Sequence, residues 1–198
     1  MKRAICWVLT ALAVAGLASC AERQRQPDAD ALFGTVCSAD DGLAMAKGAD
    51  AVVIEGMCLT AGGEVWDAFY EKVSRGSPAS VLCARYYTLD RERVSEELYE
   101  QEKNDYPKLF FYRLDYDGAG YTVKIRQSTE REPETEDAYR CLLHFTGTTP
   151  PTALWRKYDY YVLTDDPDVT WEDIEAGMFS SQLGAWIRHC AVYQNLYD

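Results

Sequence analysis

The sequence predicts an α+β domain, with a largely antiparallel sheet of about five to six strands and two to three helices packed on one face. The prediction rests on the order of the elements. Apolar residues at three-and-four spacing come early, at Val65, Trp66, Phe69, Tyr70 and Val73, as an amphipathic helix requires. A turn at Tyr116-Asp117-Gly118-Ala119-Gly120 then joins two apolar stretches, the pattern of a β-hairpin. Most later apolar runs are short and rich in β-branched and aromatic residues, as strands are.

Ser38 or Asp40 caps a short helix running to about Lys47, with Leu43, Ala44 and Ala46 apolar and Gly48 placed to end it. Ala51 to Ile54 is a short apolar strand. The amphipathic helix spans Glu64 to Ser74 and stops ahead of Gly76 and Pro78. Ser80 to Leu89 is a strand, and Arg91 to Lys103, carrying Glu96, Glu97, Glu100 and Glu102, is a charged helix or excursion. Leu109 to Asp115 and Tyr121 to Arg126 are the hairpin strands, and residues 128–137 form a charged loop. Ala138 to Phe145 is a further strand, with Tyr139, Cys141, Leu143 and Phe145 on one face and Arg140 and His144 on the other. Trp155 to Leu163 is another strand, and Thr170-Trp171-Glu172-Asp173 is a capping box opening a short helix. Trp186 to Leu196 fits strand or helix, and its tyrosines and β-branched residues favour strand.

Composition limits the classes of function. With 198 residues, 47% of them hydrophobic and 13% aromatic, the chain is too apolar for disorder throughout and short enough for one domain, placed at residues 37–198. The net charge of -12 disfavours electrostatic capture of nucleic acid or of a bare anionic bilayer.

The amino terminus departs from this acidic body. Lys2 and Arg3 precede an apolar run from Ala4 to Leu17, which is short for a membrane-crossing helix and suits an export signal. The run ends in Leu17-Ala18-Ser19-Cys20. This box resembles that of bacterial lipoprotein signal peptides, which implies cleavage before Cys20, diacylglyceryl and acyl chains such as palmitate on Cys20, and stable membrane anchoring through more than one chain. Residues 1–19 are then the signal peptide, and residues 20–36 are the lipidated cysteine and a flexible polar tether. Removing the signal takes away two basic residues and no acidic one, leaving 179 residues at a charge of -14.

After processing, Cys37, Cys58, Cys83, Cys141 and Cys190 remain. Five is odd, the spacing is irregular, and no CxxC marks a redox pair, so the pairing stays open. Buried free cysteine suits Cys83 and Cys141, which sit within apolar strand patterns.

No motif carries obvious chemistry. Cys141 with His144, and His189 with Cys190, invite a zinc site, but on a strand residues adjacent or three apart point to opposite faces. Asp115, Asp117 and Gly120 mimic the start of a calcium loop, yet Ala119 and Arg126 occupy positions that need oxygen ligands. Asp165, Asp166 and Asp168 lie just before the helix opened by Thr170, where negative charge suits the helix dipole. No catalytic residue, metal or cofactor is therefore expected. All fourteen tyrosines fall from Tyr70 onward. In clusters such as Tyr86-Tyr87, Phe110-Phe111-Tyr112 and Tyr158-Asp159-Tyr160-Tyr161, adjacent strand residues face opposite ways, so some rings point away from the core unless a helix covers them. Tyr86, Tyr112 and Tyr160 are the candidate binding surface.

At Val65-Trp66-Asp67-Ala68-Phe69-Tyr70, Ala84-Arg85-Tyr86-Tyr87-Thr88-Leu89 and Leu109 through Gly118, the chain resembles an uncharacterised family of lipoproteins of Gram-positive bacteria, over roughly residues 50–128. The resemblance implies a location and a helix, strand and hairpin order, and no activity. The function expected is that of a lipid-anchored protein on the extracytoplasmic face of the cell membrane, held through lipid on Cys20. Its domain binds an envelope protein or glycan without catalysis and without nucleic acid. The alternative is an envelope hydrolase of glycan or peptide using Asp or Glu residues.

Overall fold

Strand pairing divides the chain between two sheets. The computed structural model describes residues 28–182 and 184–198. The predicted signal and Cys20 lie outside the described residues. The larger sheet has the order β2-β1-β3-β4-β5-β6, formed by β1 (Val52–Glu55), β2 (Cys58–Ala61), β3 (Ala79–Tyr87), β4 (Lys108–Tyr116), β5 (Tyr121–Gln127) and β6 (Thr135–Tyr139). Only β1 and β3 pair in parallel within it. The smaller sheet is the antiparallel array β7 (Cys141–Thr148), β8 (Lys157–Thr164) and β9 (His189–Tyr197). The α+β class and the largely antiparallel sheet are thus as the sequence predicts.

Two short helices, α1 (Ala29–Phe33) and α2 (Ala39–Lys47), cover one face of the larger sheet, where Val53, Leu82, Ala84, Leu109 and Phe111 are buried. The period of two puts Val52, Ile54, Val81, Cys83, Leu114 and Val123 on the other face. They pack against Trp66, Phe69 and Val73 of α3 (Gly63–Ser74) and against Tyr161, Leu163, Val192 and Tyr193 of the smaller sheet. The far side of the smaller sheet, with Tyr160, Val162 and Leu196, is closed by Val169 and by Ile174 of α5 (Trp171–Phe179). The remaining helix, α4 (Glu96–Glu102), buries no residue, in keeping with its charge.

Local signals account for most boundaries. The Ser38 side chain accepts from the Asp41 amide to open α2, and Thr170 with Asp173 forms the predicted reciprocal capping box of α5. In the β4–β5 turn the Asp117 carboxylate accepts from the amides of Ala119 and Gly120, at 2.8 and 2.9 Å, while Gly118 adopts a φ of 101°. Backbone donors hold that carboxylate below the ordinary range, so the turn uses it without an ion. At the start of α3, Gly62 has a φ of 74° and lies against β1 so closely that a Cβ there would sit 2.1 Å from the Ala51 carbonyl.

Tertiary packing revises four expectations. Residues 28–36, predicted as tether, belong to the domain: α1 forms there, and its Leu32 is 2% exposed beneath the sheet. Arg126, itself 1% exposed, holds this segment by donating through Nη2 to the Thr35 carbonyl at 2.8 Å and through Nη1 to the Ser128 carbonyl at 3.3 Å. The edge strand β2 went unseen because it has four residues and alternates weakly. The charged loop ends in β6, whose largely exposed residues suit a sheet edge. The single strand predicted from Ala138 to Phe145 is two strands in different sheets, broken at Arg140. There the Arg140 amide donates to the Asp165 side chain, and Arg188 bridges Asp137 and Asp165 at 2.9 and 2.8 Å, fixing the corner. Tyr139 and Cys141 therefore share no face.

Candidate functional site

Alternation along β4 places Leu109 and Phe111 under the helices and Lys108, Phe110 and Tyr112 on the opposite face. Register then builds a wall. Lys108 pairs with Tyr87, Phe110 with Arg85, Tyr112 with Cys83 and Ile125, and Ile125 with Thr135, so all of these side chains rise from one face. Tyr87, Tyr106, Lys108, Phe110, Tyr112, Ile125, Glu134 and Thr135 line a cavity of about 470 Å³. That volume lies within the range of small-molecule sites, and the lining sets four aromatic rings and Ile125 beside Lys108, Glu134 and Thr135.

Arg85 pairs with Phe110 on the same face but is not among the residues that line the cavity. It is 6% exposed, and its guanidinium lies over the rings of Tyr112 and Tyr87 at 5.1 and 5.9 Å. Its Nη1 donates to the Ala191 carbonyl of β9 at 2.8 Å, and its buried Nε has no partner among the described residues. The phenols of Tyr87 and Tyr112 and the thiols of Cys83 and Cys190 lie close enough to act on its charge. Burial pushes the Tyr112 phenol up to about 12, against a smaller opposing pull from Arg85.

The three tyrosines of the candidate binding surface do not come together. Tyr112 lines the cavity above. Tyr86, one residue out of phase with Arg85, points to the helix-covered face and donates to Asp40 at 2.7 Å. That bond is the main reason its phenol is pushed up to about 12. It borders a separate cavity of about 350 Å³ with Thr88, Tyr99 and Lys103, and Tyr106 is the residue this cavity shares with the first. Tyr160 lies in the smaller sheet, packed at 4.9 Å from Trp171 and 5.1 Å from Tyr158, beside a third cavity of about 420 Å³ that includes Glu172 and Glu175. Arg85, Tyr87, Tyr106 and Phe110 were missed from sequence. The signal was partly there, in the shared parity of Arg85 with Tyr87 and of Phe110 with Tyr112, but the cross-strand register that joins the two pairs is not written in either segment.

A glycosidase needs a carboxylic acid held protonated near neutral pH. Glu55, Glu100, Asp117 and Asp173 are all displaced the other way, by Lys47, by Lys103, by turn amides and by Thr170 respectively. The carboxylates before α5 have separate duties: Asp165 takes Arg188, while Asp166 accepts from the Asp168 amide. His144 contacts Asp159 through Nε2 at 2.7 Å and stacks on Tyr161 at 4.1 Å. It is not gathered with Cys141 and His189 into a ligand set: among the described residues no three His, Cys, Asp or Glu side chains converge on a metal-sized point. The five described cysteines are free thiols, and burial raises Cys83 to about 12 and Cys190 to about 11, the opposite of nucleophilic activation.

No described helix is long and apolar enough to cross a membrane. No family model, no curated protein and no solved structure matches this chain.

Proposed function

We propose that the chain is a lipid-anchored protein of the extracytoplasmic face of the cell membrane, whose domain binds a small ligand in the cavity lined by Tyr87, Tyr106, Phe110 and Tyr112. The location rests on the Leu17-Ala18-Ser19-Cys20 box behind a basic, apolar leader. The ligand-binding role rests on one observation, a cavity of about 470 Å³ presenting three aromatic rings from the sheet and a fourth, Tyr106, from the loop before β4. Rings with few rotatable bonds offer contact area at low entropic cost, and a flat apolar or sugar face stacks on them.

Both halves are open to test. Labelled palmitate enters the wild-type chain and fails to enter Cys20→Ala; equal labelling refutes the anchor. For the cavity, equilibrium dialysis of the full chain in nonionic detergent against neutral 2-naphthylacetamide shows retention that Tyr112→Ala removes and that Tyr86→Ala and Tyr160→Ala keep. Retention unchanged in Tyr112→Ala refutes the site.

A further inference from the structure

The smaller sheet carries an aromatic cluster of its own. Tyr158 and Tyr160 alternate onto one face of β8, and Trp171, the first residue of α5, packs against both. The two tyrosine rings lie 5.1 Å apart, and the indole lies 4.9 Å from Tyr160 and 6.2 Å from Tyr158. Gly147 makes room for the outer ring. It pairs with Tyr158, and a Cβ there would sit 2.5 Å from the phenol oxygen and 2.6 Å from the carbon that bears it.

These three rings line the cavity of about 420 Å³ together with Glu172 and Glu175, and no Lys or Arg is among its lining residues. Both carboxylates are exposed, and neither makes an ion pair or hydrogen bond among the described residues. The basic residues that adjoin Tyr158 in sequence are engaged elsewhere. Arg156 donates to the Pro151 carbonyl at 2.7 Å, and Lys157 lies over the ring of Tyr197. Glu172, in the first turn of α5, suits the helix dipole. Glu175, one turn further on, gains little from the dipole and repels Glu172. The field of these carboxylates reaches the rings. Burial and then Glu172 and Glu175 raise the Tyr158 phenol, and burial and then Glu175 raise that of Tyr160, against a smaller pull from Arg85.

We infer that this cavity binds a small organic cation with an alkylated ammonium group, its apolar groups against Tyr158, Tyr160 and Trp171 and its charge facing Glu172 and Glu175. Aromatic faces attract such a charge, the alkyl groups leave water, and the repulsion between the two carboxylates is relieved. A bare metal ion needs oxygen ligands on most sides, whereas this wall is mostly ring, and no metal-sized convergence of ligands exists among the described residues. The site shares no lining residue with the cavity of Tyr112, so the two readings stand or fall separately.

The test compares choline with 3,3-dimethyl-1-butanol, its uncharged carbon isostere, by equilibrium dialysis of the full chain in nonionic detergent. Physiological ionic strength screens the general field of the acidic chain. Choline is expected to bind about tenfold tighter than the isostere, the ratio a ring face and a carboxylate support for one cation. Glu172→Gln with Glu175→Gln brings choline to the level of the isostere, and Trp171→Leu, which keeps apolar bulk without the ring face, retains part of the preference. Glu92→Gln with Glu97→Gln, which removes two exposed carboxylates elsewhere, leaves it unchanged. Equal binding of the two probes by the wild type, which needs no variant, overturns the inference, as does no binding of choline. A preference that survives in full in the Glu172 and Glu175 pair or in Trp171→Leu overturns it as well. An equal loss in the Glu92 and Glu97 pair assigns the effect to overall charge and does the same.

Discussion

Trp66 is the residue on which both sheets and α3 converge, and replacing it by alanine measures that junction. Its side chain is 1% exposed and packs on Tyr193 at 4.7 Å, Tyr161 at 4.9 Å and Phe69 at 5.5 Å. A tryptophan buries roughly 150–250 Å², which at about 25 cal/mol per Å² corresponds to about 4–6 kcal/mol. Measured aromatic-to-alanine losses in cores are about 3–5 kcal/mol, so the two routes agree near 4–5. That is a large part of the roughly 5–15 kcal/mol by which a domain is stable. At about 2–4 °C per kcal/mol for a domain of this size, Tm falls by about 8–20 °C. Urea and thermal unfolding followed by circular dichroism read the change directly. Trp186, 61% exposed, is the control, and Trp186→Ala stays within about 0.5 kcal/mol. A loss below about 1 kcal/mol for Trp66→Ala, or an equal loss for both, refutes the junction.

Two further outcomes follow from the fold. Gly62→Ala destabilises by at least about 2 kcal/mol in urea titration, because the positive φ and the Ala51 carbonyl 2.1 Å from the new Cβ act together; a neutral substitution contradicts the tight approach of α3 to β1. Burial raises the phenols of Tyr139 and Tyr161 to about 12 from an ordinary value near 10. The unfolded chain therefore loses these protons first, so stability is whole below about pH 10 and falls as the pH rises through 12. A urea midpoint lower at pH 11 than at pH 9, with Tyr161→Phe losing less, is the expected result, and a flat profile argues against buried phenols.

Legibility tracked the range of the forces involved. The helix over α3, the capped α2 and α5 and the β4–β5 turn were readable because period, cap and turn chemistry are local. Where two sheets meet, the same local rules misled. Tyr139, Arg140 and Cys141 continue one alternation, but Arg188 pairs with both Asp137 and Asp165 and turns the chain at Arg140. Likewise α1 is five residues long with polar neighbours, and only the sheet above Leu32 and the grip of Arg126 make it part of the domain. Of the candidate site, Tyr112 was named from the aromatic clusters, whereas Tyr86 and Tyr160 went to other surfaces. Parity separates the faces of one strand, and it says nothing about which strand lies alongside.

By itself the sequence determined the net charge of -12 and, because each follows from residues within a few positions of one another, the α+β class and the hairpin and helix ends. The tertiary structure alone decided that the strands split into two sheets and that Arg85 is buried beside Tyr87, Phe110 and Tyr112. Strand register and the cost of burying a charge depend on neighbours distant in the chain, so they exist only once the sheets have assembled.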